Sequence, residues 1–238
     1  MTLENKAVKE PLDKSQKKVF WSIFLVVITV NLLGNYFEDY YVVLYSKPLI
    51  MPFISIYFST TWQQKSENSI IYKCMMIGFF FAWLGDLYMM FLDDEVIMLL
   101  GLACFLVCHQ MYITALFFSS VKDNYKLTLF ITFPLSIIGG YIGYLVALKS
   151  SIMFAPILVY SVILVTMFSF ALIRWMNRKD RWGFMTMIGA LLFICSDLMI
   201  GLKNFQGFEI PEVYIMATYI VAQFFISRGM LCEGAENV

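Results

Sequence analysis

Residues 79–91 read FFFAWLGDLYMMF, a run of apolar and aromatic side chains interrupted by one acidic residue, Asp86. A second stretch of the same kind, GALLFICSDLMIGL, spans residues 189–202 and carries Asp197. An ionised carboxylate at the centre of a membrane costs about 2.5 kcal/mol or more, so each aspartate has to be paired, protonated or hydrated. We therefore expect the chemistry of the protein where these two segments meet.

The composition indicates a polytopic membrane protein. Hydrophobic residues make up 61% of the chain and charged residues 14%, whereas soluble domains average about 45–50% and about 25%. Basic and acidic residues number 17 each, so no excess of positive charge suggests a nucleic-acid partner. We expect a polar cytosolic N-terminal segment at 1–18, an eight-helix transmembrane domain at 19–232 and a short C-terminal tail at 233–238.

Eight segments are long enough to cross the hydrocarbon core, which takes about 20 apolar residues. The predicted spans are 19–37, 46–62, 70–92, 96–118, 127–148, 152–175, 183–202 and 212–231. The second span is short, and Pro48 and Pro52 bracket its beginning, so we expect that beginning to be irregular. The predicted fold class is an all-α membrane protein, a bundle of eight transmembrane helices.

The two halves of the chain repeat some features at similar spacing. Pro48, Asp86 and Gln110 in the first half have counterparts 108, 111 and 113 residues later, at Pro156, Asp197 and Gln223. The spacing is consistent with a 4+4 parallel repeat, although proline and glutamine are common enough to align by chance.

The distribution of basic residues predicts the orientation, because cytosolic connections are enriched in Lys and Arg. Of the 17 basic residues, 14 lie at the two ends of the chain or near the connections after the second, fourth and sixth spans. The other side has Lys47, Lys149 and Lys203. We expect both termini in the cytosol, with Asp86 and Asp197 at matched depth in the outer half of the membrane, roughly 21–24 Å from its cytosolic edge.

Small residues share a helix face with each aspartate, and such faces are where membrane helices approach closely. The small residues are Gly78, Ala82 and Gly85 beside Asp86, and Thr186, Ala190 and Gly201 beside Asp197. Each aspartate is therefore expected to point into the bundle. A protonated aspartate with a purely structural hydrogen bond is the alternative, but two at matched depth favour a shared site.

Other polar residues inside the spans allow two interpretations each. His109 lies mid-span with Tyr112 one turn later, and it could shuttle protons or make a structural hydrogen bond. Tyr219 and Gln223 are four residues apart on the eighth span, so they could line the site or join neighbouring helices.

The order of several motifs resembles the YhhN-like family of multi-pass membrane proteins, whose characterised animal members are lysoplasmalogenases. The motifs are Lys-Pro-Leu at 47–49, Leu-Gly-Asp at 84–86, His-x-x-Tyr-Ile at 109–113, Tyr160 with Met167, Gly-Ala-Leu-Leu-Phe-x-x-Ser-Asp at 189–197 and Thr-Tyr-x-x-Ala-Gln-Phe at 218–224. The resemblance covers about residues 45–227. It implies eight transmembrane helices and two functional aspartates, which correspond to Asp86 and Asp197.

The activity that this resemblance implies is hydrolysis of the vinyl ether in a 1-alkenyl lysophospholipid, giving a fatty aldehyde and a glycerophospho-base. Vinyl ethers are hydrolysed through protonation, so the catalyst has to be an acid that keeps its proton near neutral pH. Burial and a second carboxylate both disfavour the charged form of a carboxyl group, and the ionised partner can stabilise the cation, as in glycosidases with two carboxylates. This chemistry requires no metal and no cofactor.

The head group of such a lipid is expected at the outer boundary. Lys47 and Lys203 could capture its phosphate or could simply extend toward water, and Lys149 is the third base on that side. Family members often have asparagine followed by a base after the second aspartate, whereas this chain has Lys203 followed by Asn204. The expected partners are a lysophospholipid and the bilayer. A proton-coupled lipid or small-molecule transporter and a non-catalytic lipid-binding protein are the alternatives.

Overall fold

The computed structural model describes residues 13–62, 69–91, 94–121, 125–150 and 152–231. Within these ranges the chain forms eight α-helices and no strand, and all eight are long and apolar enough to cross a membrane. The helices are α1 (Lys14–Tyr36), α2 (Tyr40–Thr61), α3 (Ser69–Tyr88), α4 (Glu95–Leu116), α5 (Tyr125–Ala147), α6 (Phe154–Arg178), α7 (Arg181–Gly201) and α8 (Glu212–Met230). The predicted eight-helix fold is confirmed.

Short connections join the helices, so successive helices run in alternating directions. The terminal end is the end of the bundle that contains the start of α1 and the end of α8. The other end of the bundle is called the opposite end. Lys and Arg are concentrated at the terminal end, which is therefore the end predicted to face the cytosol. Five-residue π-helical turns extend α4 (Phe117–Val121) and α7 (Leu202–Gln206), and such turns often occur at functional sites.

Helix α1 begins five residues before the predicted span. Asp13 caps the helix: its carboxylate accepts from the backbone of Ser15 at 3.3 Å, and Gln16 accepts from the backbone of Asp13 at 3.0 Å. This reciprocal capping satisfies two backbone donors at the start of the helix. Residues 14–18 of the predicted polar segment are therefore helical, while residues 1–12 and 232–238 lie outside the described part of the chain.

The predicted irregular beginning of α2 is wrong, because the helix starts at Tyr40 and continues through both prolines. Asp39 caps it by accepting from the backbone of Val42 at 3.1 Å. Pro52 has no N–H, so it cannot pair with the carbonyl of Pro48 one turn earlier. Trp83 of α3 supplies the missing donor, with its indole Nε1 2.9 Å from that carbonyl oxygen. Such replacement donors let proline sit inside membrane helices.

Helix packing follows a pattern that the two halves share. The contacts between α3 and α4 correspond to those between α7 and α8, and the contacts between α1 and α2 correspond to those between α5 and α6. Helix α4 also packs on α6, and the equivalent helices of the other half, α8 and α2, are in contact as well. These contacts are consistent with a 4+4 arrangement, but the packing of α1 on α8 has no comparable counterpart between α5 and α4 in the described residues. The two glutamines of the sequence repeat are not equivalent, however, since Gln223 is fully buried and Gln110 is exposed.

Glycines on α3 make room for aromatic rings of α4. A Cβ added at Gly78 would lie 2.5 Å from the Tyr112 ring, and one added at Gly85 would lie 2.7 Å from the Phe105 ring. Real Cβ atoms do not approach so closely, so both rings need these glycines. The small-residue face that the sequence indicated on α3 thus faces α4 and positions two side chains near Asp86.

Arg174 joins several helices at the terminal end from inside the bundle. It belongs to the basic residues that predict topology, yet its side chain is fully buried. Its guanidinium donates to Ser119 Oγ at 2.7 Å, to Thr186 Oγ1 at 2.9 Å and to the carbonyl of Gly229 at 3.1 Å. These contacts join α6 to the π-helical turn after α4, to α7 and to α8, far from the two aspartates.

Candidate functional site

Both aspartates lie close to the opposite end of the bundle. Asp86 is 17 residues from the start of α3 and Asp197 is 16 residues from the start of α7, which corresponds to about 25 Å and about 24 Å along the two helices. Asp86 is buried and Asp197 is half-buried.

Asp197 ends a chain of three polar side chains from three helices. Tyr160 of α6 donates its phenolic hydroxyl to Asp197 Oδ2, and His109 Nε2 of α4 lies 2.9 Å from the same hydroxyl oxygen. His109 Nε2 is also 3.8 Å from Asp197 Oδ2. A phenol has one proton to donate. When that proton points at Asp197, the His109 Nε2 must carry the proton that points at Tyr160.

The hydrogen bonds of this chain can also run in the reverse direction, from Asp197 to His109. A protonated Asp197 can donate to Tyr160, and Tyr160 can then donate to an unprotonated His109 Nε2. Phenol and imidazole can each donate or accept, so a protonated Asp197 can pass a proton through Tyr160 to a neutral His109 whose ring proton is on Nδ1, which leaves a carboxylate and an imidazolium, and the reverse transfer restores both groups. The remaining ring nitrogen, His109 Nδ1, is buried and makes no hydrogen bond within the described structure.

Asp86 ends a second chain of hydrogen bonds. Tyr219 of α8 donates to Asp86 Oδ2 at 2.8 Å, Gln223 Nε2 approaches the Tyr219 oxygen at 3.3 Å, and Tyr112 donates to Gln223 Oε1 at 2.8 Å. An amide has separate donor and acceptor atoms, so Gln223 fixes the direction of the whole chain. All three hydrogen bonds therefore point toward Asp86, which is held as the acceptor.

Asp197 and Tyr160 face an apolar cavity of about 110 Å³ between α4, α5, α6 and α7, which we call the cleft. Its other walls are Met89, Met98, Leu102, Phe105, Gly139, Ile142, Val146, Met153, Ile157, Ser161, Leu164, Val165, Ile194, Leu198, Ile200, Gly201 and Phe205. Asp86 is not among the residues that line the cleft. A molecule in the cleft would therefore meet Asp197 directly.

A wider polar cavity of about 410 Å³ adjoins the cleft at the opposite end, and we call it the vestibule. Glu95, Lys149, Ser150 and Asn204 supply its polar wall. It shares three wall residues with the cleft, Met98, Met153 and Phe205. The apolar cleft and the charged vestibule are therefore neighbouring cavities.

The three lysines of the opposite end have different surroundings. Lys149 lines the vestibule. Lys203 pairs with Glu212, with 2.5 Å between Nζ and Oε1, and Lys47 of α2 is half-buried and close enough for its charge to act on Asp86. Neither Lys47 nor Lys203 lines the cleft or the vestibule.

The structure brings most of the predicted polar residues into one region. Asp197 and His109 belong to one hydrogen-bonded chain, while Asp86, Tyr112, Tyr219 and Gln223 belong to the other. Tyr160 joins His109 to Asp197, but the sequence interpretation did not include it as a site residue. A hydroxyl buried in a membrane span needs a partner, and this requirement was the available signal.

The cysteines and acidic residues form no metal-binding group in the part of the chain that the structure describes. Cys74 and Cys108 are buried, Cys104 is partly buried and Cys195 is exposed, all as free thiols. Cys232, the fifth cysteine of the sequence, lies outside the described residues.

Comparison with models of protein families identifies the family of the chain. The model of the YhhN family matches residues 42–230, which include both aspartates and helices α3 to α8. The chain therefore belongs to the YhhN family. Neither a curated protein nor a solved structure matches it.

Proposed function

Starting from membership of the YhhN family, we propose that this protein is a hydrolase that cleaves the vinyl ether of lysoplasmalogens. The observation that carries the proposal is the position of Asp197. It stands beside Tyr160 in the wall of a narrow apolar cleft, and a charged vestibule adjoins that cleft. A lysolipid has the matching shape, with one apolar chain, a reactive bond near the glycerol and a charged head group.

The chemistry begins with a proton transfer to carbon. Asp197, in its protonated form, gives its proton to the outer alkene carbon of the vinyl ether, and the inner carbon and ether oxygen then share the positive charge of an oxocarbenium ion. Water adds to the inner carbon and returns a proton to Asp197. The resulting hemiacetal breaks its bond to the glycerol oxygen, which takes up the hydroxyl proton, and releases the fatty aldehyde.

The hydrogen-bonded chain behind Asp197 supports its role as the acid. General acids and bases work best when they can lose and regain a proton near the operating pH. Through Tyr160, Asp197 can exchange its proton with His109 without using the space that the substrate fills. We assign Asp197 as the residue that touches the substrate, with Tyr160 and His109 as its proton relay.

Asp86 has a different role from Asp197. Its hydrogen bonds all arrive from donors whose direction Gln223 fixes, so Asp86 Oδ2 is an acceptor and this chain does not carry a proton away from it. A negative Asp86 stabilises the positive charge that develops on the substrate, as the ionised member does in enzymes with two carboxylates.

A transporter is the second candidate, and one observation favours it. The shared packing pattern of the two halves is a feature of secondary transporters, whose sites often lie between repeats. The transporter hypothesis predicts flux of lipid or protons across sealed vesicles without any bond cleavage. The hydrolase predicts aldehyde release by protein in detergent, where no gradient exists.

The experiment uses purified protein and a 1-alkenyl lysophosphocholine in water labelled with ¹⁸O. We expect aldehyde release, with the released glycerophosphocholine keeping unlabelled oxygen, because water attacks the alkenyl carbon and not the glycerol. The matched 1-alkyl lysophosphocholine has no double bond to protonate and should remain intact. Absence of aldehyde would disprove the proposed activity. Incorporation of ¹⁸O into the glycerol hydroxyl would contradict the attack of water on the alkenyl carbon.

A further inference from the structure

The vestibule carries charges of both signs on walls from different parts of the chain. Glu95 is the first residue of α4, Lys149 lies between α5 and α6, and Asn204 lies on the π-helical turn after α7. A cavity of about 410 Å³ with a carboxylate and an ammonium group is suited to a ligand that has both charges. Neither charge is needed for the acid chemistry at Asp197.

We propose that the vestibule binds a zwitterionic phospholipid head group, with Lys149 contacting the phosphate and Glu95 contacting the positively charged amine. The inference rests on the proposed function, because it names the part of the substrate that makes the protein selective. Glu95 is thus a specificity-determining residue, and lysolipids whose head groups lack an amine are poorer ligands.

Glu95 is suited to contact a ligand because its neighbour performs the structural task at the start of α4. Asp94 caps the helix by accepting from the backbone of Val96 at 2.8 Å and of Ile97 at 3.2 Å. Glu95 is exposed and lines the vestibule. Its carboxylate can therefore meet a quaternary or primary ammonium group without loss of the helix cap.

Lys149 is held at the vestibule by a local network. Its Nζ donates to the carbonyl of Gln206 at 3.2 Å, and the Gln206 side chain donates to the carbonyls of Leu145 and Val146 at 2.9 and 2.8 Å. An ammonium group has three donors, so this contact leaves capacity for phosphate oxygens. The network also fastens the π-helical turn that carries Asn204 to the end of α5.

The order of the two cavities matches the order of groups in a lysolipid. The phosphate and the vinyl ether are only a few atoms apart on the glycerol. A head group in the vestibule therefore directs the rest of the lipid past the shared residues Met98, Met153 and Phe205 into the cleft, where the vinyl ether would meet Asp197. This assignment gives Lys149 the phosphate contact that the sequence suggested for Lys47 and Lys203.

The test measures binding separately from turnover. The probes are 1-alkyl lysolipids, which lack the double bond, with either phosphocholine or phosphoglycerol as head group. Both have one phosphodiester charge, and only phosphocholine has the amine. For the unmodified protein we expect phosphocholine to bind about five-fold more tightly than phosphoglycerol, which is the upper range for a partly exposed ion pair.

Two variants separate the two contacts. Glu95→Gln should abolish the preference for phosphocholine and leave the phosphoglycerol affinity unchanged. Lys149→Met should weaken the binding of both lipids by a similar factor of about five. Glu209→Gln, which changes an exposed acid at the same end, and Lys126→Met, which changes an exposed base at the other end of α5, are matched controls that should leave both affinities unchanged.

The outcomes distinguish this inference from the proposed function. If the preference disappears in Glu95→Gln while the protein releases no aldehyde from the 1-alkenyl lipid, the head-group site stands and the hydrolase proposal fails. If aldehyde is released but Glu95→Gln keeps the full preference, the head-group assignment is overturned. Equal losses in the control variants would also overturn it, because they would show a general effect of surface charge.

Discussion

At the scale of single residues, Tyr160 and Tyr219 present the same phenol to the two aspartates, but different groups stand behind them. His109 lies behind Tyr160 and can accept or donate a proton, whereas Gln223 lies behind Tyr219 and has a fixed direction. Only Asp197 with Tyr160 lines the cleft. These differences give the two carboxylates different roles, although both lie at similar depth in apolar helices.

Tyr160→Phe tests the proton relay. The change removes one hydroxyl and interrupts the chain between His109 and Asp197, so we expect the kcat for aldehyde release to fall about 100-fold, in the lower range of acid–base effects. KM should change little, because the ring still fills the cleft wall. Tyr219→Phe, the same substitution beside Asp86, should lower kcat less. Equal losses in the two variants would contradict the assignment of Asp197 as the acid.

At the scale of helices, the unbroken course of α2 through its two prolines could not be predicted from its own sequence. Proline at positions 48 and 52 predicts an irregular beginning, because proline removes backbone hydrogen bonds. The compensating donor, Trp83, is 35 residues further along the chain, and no local pattern connects the two. The long apolar segments themselves could be predicted, since helix formation in lipid satisfies every backbone group within one segment.

A double-mutant cycle at Pro52 and Trp83 tests this compensation. Trp83→Phe should destabilise the protein by about 1–3 kcal/mol, because it leaves the Pro48 carbonyl unpaired in an apolar environment. In the Pro52→Ala background the restored N–H can pair with that carbonyl, so the same change should cost less. Thermal unfolding in detergent measures the difference, and a coupling of about 1 kcal/mol is typical for residues that share a partner. Additive effects would disprove the compensation.

At the scale of the whole molecule, the sequence predicted the depth of the aspartates but not their partners. The depth follows from helix length and from the 1.5 Å rise per residue. The partners depend on which helices are neighbours: Asp86 meets a tyrosine from α8, and Asp197 meets residues from α4 and α6. The contact of Tyr160 with Asp197 and the ion pair of Lys203 with Glu212 depend on this packing, so the sequence alone does not predict them.

The orientation of the bundle is a separate prediction at this scale. The excess of basic residues at the terminal end predicts that it faces the cytosol, so the vestibule should face the outer side. Lys149→Cys should react with a membrane-impermeant maleimide added to intact spheroplasts, whereas Lys126→Cys, at the terminal end, should react only after the membrane is broken. The reverse labelling pattern would show the opposite orientation.

The most direct test of the central claim compares Asp197→Asn and Asp86→Asn for aldehyde release from a 1-alkenyl lysolipid. The amide keeps the shape of each side chain but cannot carry an acid proton or a negative charge, so we expect kcat to fall at least about 100-fold in both variants. Asp180→Asn is the matched control. It changes the cap of α7, where asparagine is also a good cap, so activity should be retained. Full turnover by the folded Asp197→Asn variant would contradict the account.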